Sequence, residues 1–244
     1  MLSIVELSSP GIEVPLPGIA MTTEAHCVFS FAHYGYIMKQ LLGNGHEFVF
    51  FSDLPRTDRY VYLRHDVDRS LDKALALALW EQQLGVRATY FVRVHSRYYN
   101  CYSFPGLKAL RAILNAGHEI GLHTEFYDLA KVFGDDGSAV FTREKRILEE
   151  ILERSVRVFS PHRTTGSTNT DQIQRQLQTL RDKHNMLCTF DERFQNDVKY
   201  ISDSSGIWRE GCPCGYLDRH ARLQLLVHPI WWYREHIELE DPIL

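Results

Sequence analysis

The stretch that decides the fold is Tyr62-Leu63-Arg64-His65-Asp66-Val67-Asp68-Arg69-Ser70. It closes an apolar run with a histidine and two acids, and a helical pattern begins directly after it. This order predicts a buried strand that carries carboxylates to its C-terminal end, where parallel α/β folds bind ligands. Asp66 and Asp68 alternate along an extended chain and so point the same way, which suits one to hold a metal and the other to move a proton. The purely structural alternative is a strand end in which Asp68 or Ser70 caps the next helix.

Strand and helix patterns alternate along most of the chain. Short apolar runs predict further strands over 47–51, 87–94, 119–122, 156–160, 186–190, 198–201 and 223–227. Helical spacing of apolar residues predicts helices over 29–42, 71–84, 107–114, 142–153 and 171–184. Such alternation indicates a parallel sheet with crossover helices, so we predict an α/β fold, a barrel of about seven parallel strands. We interpret residues 1–244 as one domain, with 1–57 as an irregular lead-in and helix and 58–232 as the core.

The composition is that of an ordinary globular protein. Of the 244 residues, 44% are hydrophobic and 24% are charged, and the formal net charge is −4. This charge argues against a nucleic-acid partner and against a polybasic membrane patch. No signal-peptide pattern and no apolar stretch of bilayer length occurs in the sequence, which leads us to expect a cytoplasmic protein without membrane insertion.

The five cysteines, Cys27, Cys101, Cys188, Cys212 and Cys214, form an odd and scattered set. Such a set is not a disulfide framework, so we expect free thiols in a reducing compartment. The Cys212-Pro213-Cys214 spacing is one that a metal can use, but no second cysteine pair accompanies it.

Three short motifs follow one another along the chain. They are Arg64-His65-Asp66-Val67-Asp68, then Ala116-Gly117-His118-Glu119-Ile120-Gly121-Leu122-His123-Thr124, and finally Leu226-Val227-His228. In this order they resemble the polysaccharide deacetylases of the NodB-homology family, over roughly residues 58–232. The resemblance implies a distorted (β/α) barrel that uses a divalent metal to remove N- or O-acetyl groups from sugars.

The resemblance also implies a role for individual residues. It makes Asp66 the general base, Asp68 and His123 metal ligands, His228 the general acid, and Arg163 the group that orients Asp66. The alternatives without chemistry are a helix cap for Asp68, a salt bridge to Arg64 or Arg163 for Asp66, and ordinary hydrogen-bonded histidines at strand ends.

Two positions depart from the family's pattern. The second motif usually carries a further histidine ligand four residues after the first, and Tyr127 stands there in this chain. The third motif usually offers an Arg-Pro pair at a strand end, where this chain has Ser160-Pro161-His162-Arg163-Thr164. Our hypothesis is that His162 replaces the missing metal ligand.

Four further residues at or near strand ends are candidates for substrate contact, namely His65, His95, Asp203 and Trp208. Aromatic rings pack against the apolar C–H faces of sugars. The resemblance implies such a ring over the acetyl methyl group, and Trp208 is the candidate for it. The alternatives are a hydrogen-bonding role for each histidine and core packing for the tryptophan. His118 precedes its strand, and we expect it on the opposite side of the barrel.

Taken together, the motifs predict a metal-dependent hydrolase that removes an acetyl group from a sugar or oligosaccharide. The expected metal is Zn²⁺, although Co²⁺, Ni²⁺, Mn²⁺ or Fe²⁺ also suits a mixed histidine–aspartate site. A cytoplasmic enzyme would meet its sugar as a precursor, so we predict a role in surface polysaccharide biosynthesis. Two alternatives stay open, an inactive barrel that binds carbohydrate and a metal-dependent phosphoesterase or amidohydrolase. The oligomeric state is not readable from the sequence.

Overall fold

The structure is a computed structural model that describes residues 27–162 and 170–233. The predicted irregular lead-in over residues 1–25 and the predicted catalytic residue Arg163 lie outside these ranges. Within them, no helix combines the length and the apolar character needed to cross a bilayer.

Helices and strands alternate as the sequence predicts. The helices are α1 Phe31–Gly43, α2 Leu71–Leu84, α3 Phe104–Asn115, α4 Phe126–Phe133, α5 Gly137–Leu152, α6 Thr170–His184 and α7 Glu192–Gln195. The strands are β1 Glu47–Phe48, β2 Tyr60–Val67, β3 Thr89–Val92, β4 Glu119–Thr124, β5 Val158–Pro161, β6 Leu187–Cys188, β7 Lys199–Ser202 and β8 Arg222–Val227. The predicted bounds of α2 are confirmed: Ser70 caps its start, accepting from the backbone of Lys73, and Gly85 ends it in the left-handed conformation. Helix α4 and the first turn of α5 were not predicted.

All strands pair in parallel within one sheet. Seven of them follow the order β6-β5-β4-β3-β2-β8-β7, and β1 pairs with β2 outside this path. The predicted α/β fold, a distorted barrel of about seven parallel strands, is confirmed. Because every strand runs the same way, all the C-terminal ends meet at one edge of the curled sheet, which we call the mouth.

Strand β2 lies at the centre of the sheet, between β3 and β8, and all eight of its residues are buried. Its apolar run is therefore covered on both faces, as is usual for a parallel strand. Leu63 and Val67 pack in the large core beneath the helices. Tyr62, on the other face, packs in a small aromatic cluster with Phe51 and Phe91. The alternation that separates these residues sends Arg64 and Asp66 to the same face as Tyr62.

His65 faces the opposite way from Asp66, into the helix–sheet core. It is fully buried, and its Nε2 lies 2.8 Å from the Oε1 atom of Glu81 on α2. The same carboxylate accepts hydrogen bonds from the hydroxyls of Tyr34 and Tyr90. The prediction that His65 contacts substrate is therefore corrected: this histidine is a partner of a buried carboxylate that joins α1, α2, β2 and β3.

His118 lies in the same interior, at the start of β4. Its Nε2 is 2.9 Å from the carbonyl oxygen of Ala78, and its Nδ1 accepts from the backbone of Ala88 at 3.2 Å. This histidine thus has a structural role at the end of the strand away from the mouth, as predicted.

Candidate active site

Five of the predicted site residues come together at the mouth, although they follow four different strands. Asp66 and Asp68 come from the end of β2, His123 from β4, His162 from directly after β5, and His228 from directly after β8. His123 Nε2 lies 3.4 Å from Asp66 Oδ2 and 3.5 Å from Asp68 Oδ1. Both acids therefore face the same histidine, as their alternation along β2 predicts.

Asp68, His123 and His162 form a cluster with the spacing of a metal site. One ligand atom from each lies within 4.8 Å of the others. The Nε2 atoms of His123 and His162 stand 3.5 and 3.7 Å from Asp68 Oδ1. Ligands bound at about 2.0–2.1 Å around a tetrahedral ion stand roughly 3.4 Å apart, so only small shifts are needed to bind one. Asp68 Oδ1 is a buried oxygen without a hydrogen-bond partner, and coordination to a cation would satisfy it.

The neighbours of both histidines favour metal binding through Nε2. His123 Nδ1 lies 2.9 Å from the carbonyl oxygen of Ser160 and donates to it, which leaves Nε2 free to ligate. The backbone N–H of His162 donates to the carbonyl of Thr124 at 2.8 Å, which fixes the start of the loop after β5. Its Nδ1 faces the Glu125 carboxylate at 3.4 Å, the arrangement that orients many metal-bound histidines. Tyr127, at the family's usual second-histidine position, packs against the core instead.

The charges around Asp68 keep it ionised and ready to bind a cation. Burial by itself raises the pKa of this carboxyl, but the rings of His123, His228 and His162 lower it far below its ordinary value. Arg93, which the sequence did not single out, places its Nη1 atom 3.7 Å from Asp68 Oδ1 and donates from Nη2 to Glu125. The only sequence signal for Arg93 is its place near the C-terminal end of a predicted strand; the pairing of β3 with β2 is seen only in the structure.

Asp66 is held in place by Arg64. The guanidinium donates from Nε to Oδ1 at 2.8 Å and from Nη2 to Oδ2 at 2.7 Å, and both side chains are buried. Burial raises the pKa of Asp66, but Arg64 and then His123 lower it below its ordinary value, so the carboxylate is anionic. Arg64 thus orients Asp66, the role that the family resemblance assigned to Arg163. The salt bridge between Asp66 and Arg64 is the structural alternative that the sequence offered for Asp66, and residues two apart on a strand face the same way.

His228 is held by Asp203, which follows β7. Its Nδ1 lies 2.6 Å from Asp203 Oδ1, and its backbone N–H donates to both carboxylate oxygens at 3.0 Å. Trp232 Nε1 donates to Asp203 Oδ2 at 2.9 Å. Burial lowers the pKa of His228, but Asp203 raises it more, to about 9. Asp203 is fully buried, so the prediction that it contacts substrate is corrected: it is a positioning residue for His228.

His95 and Trp208 are the two remaining candidates for substrate contact. His95 is more than a third exposed, and its Nε2 is 3.6 Å from the Oε1 atom of Glu144. Burial raises the pKa of Glu144 to about 7, even though Thr124 and the backbone of Glu125 donate to it. Trp208 is half-buried, and its ring lies 6.2 Å from the ring of Trp232, the partner of Asp203. Contact of His95 and Trp208 with substrate stays a prediction.

A sequence model of the polysaccharide deacetylases matches residues 55–180, slightly more than half of the chain. The chain belongs to the polysaccharide deacetylase family. The predicted family is therefore confirmed, and the mouth residues Asp66, Asp68, His123 and His162 all fall within the matched range. Among curated proteins, no sequence matches this chain.

Several solved structures are similar to part of this chain. A family 4 carbohydrate esterase from Streptomyces lividans is 19% identical, with a TM-score of 0.48, and the match covers 70% of this chain and 79% of the esterase. A mutant of the peptidoglycan deacetylase PdaC from Bacillus subtilis is 15% identical, with a TM-score of 0.48 and coverage of 73% and 78%. A CE4-family pseudoenzyme from Bacillus anthracis is 18% identical, with a TM-score of 0.46; the match covers 72% of this chain but only 56% of the pseudoenzyme. A mutant of that pseudoenzyme is likewise covered over only 58% of its length.

Proposed function

We propose that this chain is a metal-dependent hydrolase that removes an N- or O-linked acetyl group from a sugar. The observation that carries the proposal is the convergence, at one edge of the sheet, of an oriented carboxylate, a three-residue metal-ligand cluster and a histidine paired with a carboxylate. Membership of the polysaccharide deacetylase family supports a carbohydrate as the substrate class.

Each group at the mouth has a task in acetyl hydrolysis. A divalent ion held by Asp68, His123 and His162 would polarise the acetyl carbonyl and lower the pKa of a water molecule. Asp66, kept anionic by Arg64, accepts a proton from the attacking water. His228 donates a proton from Nε2 to the departing amine or hydroxyl, which leaves beside acetic acid. Transfer of the proton from Asp66 back to His228 through solvent then restores both groups.

The donor set of two imidazoles and one carboxylate suits Zn²⁺, and also Co²⁺, Ni²⁺, Mn²⁺ or Fe²⁺. We expect chelation to abolish deacetylation and addition of Zn²⁺ or Co²⁺ to restore it. Release of acetate from a panel of acetylated sugars, before and after chelation, is the measurement. A chelated, metal-free protein with undiminished turnover would contradict the proposal.

The rival function is a carbohydrate-binding barrel that has lost its chemistry. Tyr127 in place of a histidine is the observation that favours it. The position of His162 beside Asp68 and His123 weighs against it, because a third ligand is then present. A binding module also has no use for a general base and a general acid, whereas this mouth holds Asp66 and His228 in hydrogen-bonded positions.

We further propose that the enzyme works in a reducing compartment on a precursor in surface polysaccharide biosynthesis, not on finished polymer. None of the five cysteines, which all lie within the described residues, forms a disulfide, which agrees with a reducing environment. In the loop after β3, Tyr98 and Tyr102 are exposed, and such rings suit the C–H faces of a short sugar. We expect a higher kcat/KM on an acetylated nucleotide-sugar or short oligosaccharide than on long chitin or peptidoglycan. A clear preference for polymer would contradict this assignment, and similar values would leave it unsupported.

Asp203→Asn tests the general acid. An opposite charge within hydrogen-bonding distance typically raises a histidine pKa by about 1–3 units, so loss of this charge lowers the pKa of His228. The acid must be protonated to act, so activity is lost as pH rises through that pKa. We therefore expect the alkaline limb of the kcat/KM profile to move at least about one unit lower in Asp203→Asn.

The matched control is Asp53→Asn, which removes an exposed carboxylate paired with Arg87. It should leave the pH profile unchanged. An unchanged alkaline limb in Asp203→Asn, with metal content intact, would show that His228 is not the acid.

A further inference from the structure

Four potential metal ligands gather at a second place in the molecule, in a cluster that shares no residue with the mouth. They are Cys27, His33, Cys212 and Cys214, and one ligand atom from each lies within 4.8 Å of all the others. Cys27 precedes α1, His33 lies in the first turn of α1, and Cys212 and Cys214 flank Pro213 in the connection between β7 and β8. The fold therefore brings together Cys27 and Cys214, which are 187 positions apart in the sequence.

The distances within this cluster are those of a tetrahedral thiolate site and not of a disulfide. Cys27 Sγ and Cys214 Sγ are 3.6 Å apart, whereas bonded sulfurs lie about 2.05 Å apart. Two sulfurs bound at about 2.3 Å around a tetrahedral zinc ion stand roughly 3.7 Å apart. His33 Nε2 is 3.0 Å from Cys212 Sγ, and a bound ion would widen this gap by about half an ångström. His33 itself is buried, so its ring is fixed towards the sulfurs.

We propose that Cys27, His33, Cys212 and Cys214 bind a structural zinc ion, separate from the catalytic metal. Three cysteines and one histidine complete a tetrahedral zinc site and leave no open position for water or substrate, which is the signature of a structural site. Soft thiolate ligands favour zinc over hard divalent ions such as Mg²⁺ and Mn²⁺. The proposal does not rest on the deacetylase activity.

The ion would join residues 27–33 to the connection between β7 and β8, close to the residues that support His228. Phe31 N–H donates to the carbonyl of Tyr233 at 2.7 Å, and Tyr233 N–H donates to the carbonyl of Phe29 at 3.0 Å. The Phe29 ring stacks on Trp208 and meets Trp232 edge-on, at centroid distances of 5.8 and 5.1 Å. Loss of the ion would therefore loosen the aromatic packing that supports Trp232, the hydrogen-bond donor to Asp203.

Metal stoichiometry separates the two sites. Protein purified under reducing conditions and then loaded with zinc should contain two equivalents by elemental analysis, one at the mouth and one at the cysteine cluster. Asp68→Asn should keep one equivalent and Cys214→Ser should also keep one, whereas the double variant should contain none. Cys188→Ala is the matched control, because this cysteine is buried outside the cluster and both equivalents should remain.

A spectroscopic measurement tests the site without relying on a cysteine variant that could fail to fold. Cobalt-substituted Asp68→Asn, with all its cysteines intact, should show thiolate-to-cobalt charge-transfer absorption and tetrahedral ligand-field bands. Chelation of wild-type protein should expose three more titratable thiols and lower the melting temperature. Folded Asp68→Asn that binds no metal and shows no thiolate–cobalt band would overturn the proposal, and so would a Cys27–Cys214 disulfide in freshly reduced and re-isolated protein. Failure of acetyl hydrolysis alone would leave these readouts unchanged, so the two proposals fail separately.

Discussion

Asp66→Asn is expected to lower kcat/KM by about 10²–10⁴-fold while the protein keeps its catalytic metal. The amide cannot accept the proton of the attacking water, and it leaves the Arg64 guanidinium without its carboxylate partner. The metal should stay, because Asp66 is not one of the three residues whose ligand atoms cluster. Single-turnover kinetics on an acetylated sugar, together with metal analysis of the same sample, measures both effects.

The partner variant is Asp68→Asn, which should lose the catalytic metal and the activity together. The two substitutions are chemically identical and lie two residues apart, so they form a matched pair. Equal metal occupancy at the mouth in both variants would contradict the division of labour between the two acids. A folded Asp66→Asn protein with near-normal turnover would remove Asp66 from the mechanism.

His162→Ala is expected to release the catalytic metal. Changing a residue that only hydrogen-bonds a metal ligand lowers metal affinity by ~10–100-fold. Removal of His162, a ligand itself, should lower metal affinity by more than this, because only Asp68 and His123 remain. Competition with a chelator of known affinity gives the metal dissociation constant, and acetate release under metal add-back gives the activity. The substitution also removes the ring that faces Glu125, so thermal unfolding should be recorded alongside.

Tyr127→Phe is the control for this experiment, because it keeps the ring that packs against the core and removes only the hydroxyl. It should bind metal as the unchanged protein does. If His162→Ala keeps the metal and Tyr127→Phe loses it, the phenol and not the imidazole is the third ligand.

The sequence predicts the fold and the placement of Asp66, Asp68, His123, His162 and His228 well, because these follow from local rules. A run of apolar residues that ends in a polar one predicts a parallel strand and its end, and parallel strands share one edge. The helix α4 was missed because its eight residues, Phe126–Phe133, are short and follow directly on a strand. Its apolar spacing covers barely two turns.

The assignments that were corrected depend on contacts between distant segments. His65 has the same sequence neighbourhood as Asp66, and only the packing of α2 on the sheet shows that it meets Glu81. Asp203 becomes the partner of His228 because β7 lies beside β8 at one edge of the sheet. Periodicity gives no strand order, so this pairing was not predictable. The proposed cysteine site also depends on contacts between distant segments, since the spacing of Cys212 and Cys214 indicates only two of its four candidate ligands.

The buried carboxylate of Glu81 has a consequence for how this protein evolves. It accepts hydrogen bonds from Tyr34, His65 and Tyr90, which come from three different elements. Loss of any one donor leaves part of a buried charge unpaired, which costs several kcal/mol, whereas joint replacement of the set by apolar residues is close to neutral. Selection should therefore remove single substitutions at these positions. Across an alignment of relatives, the four positions should be retained together or exchanged together.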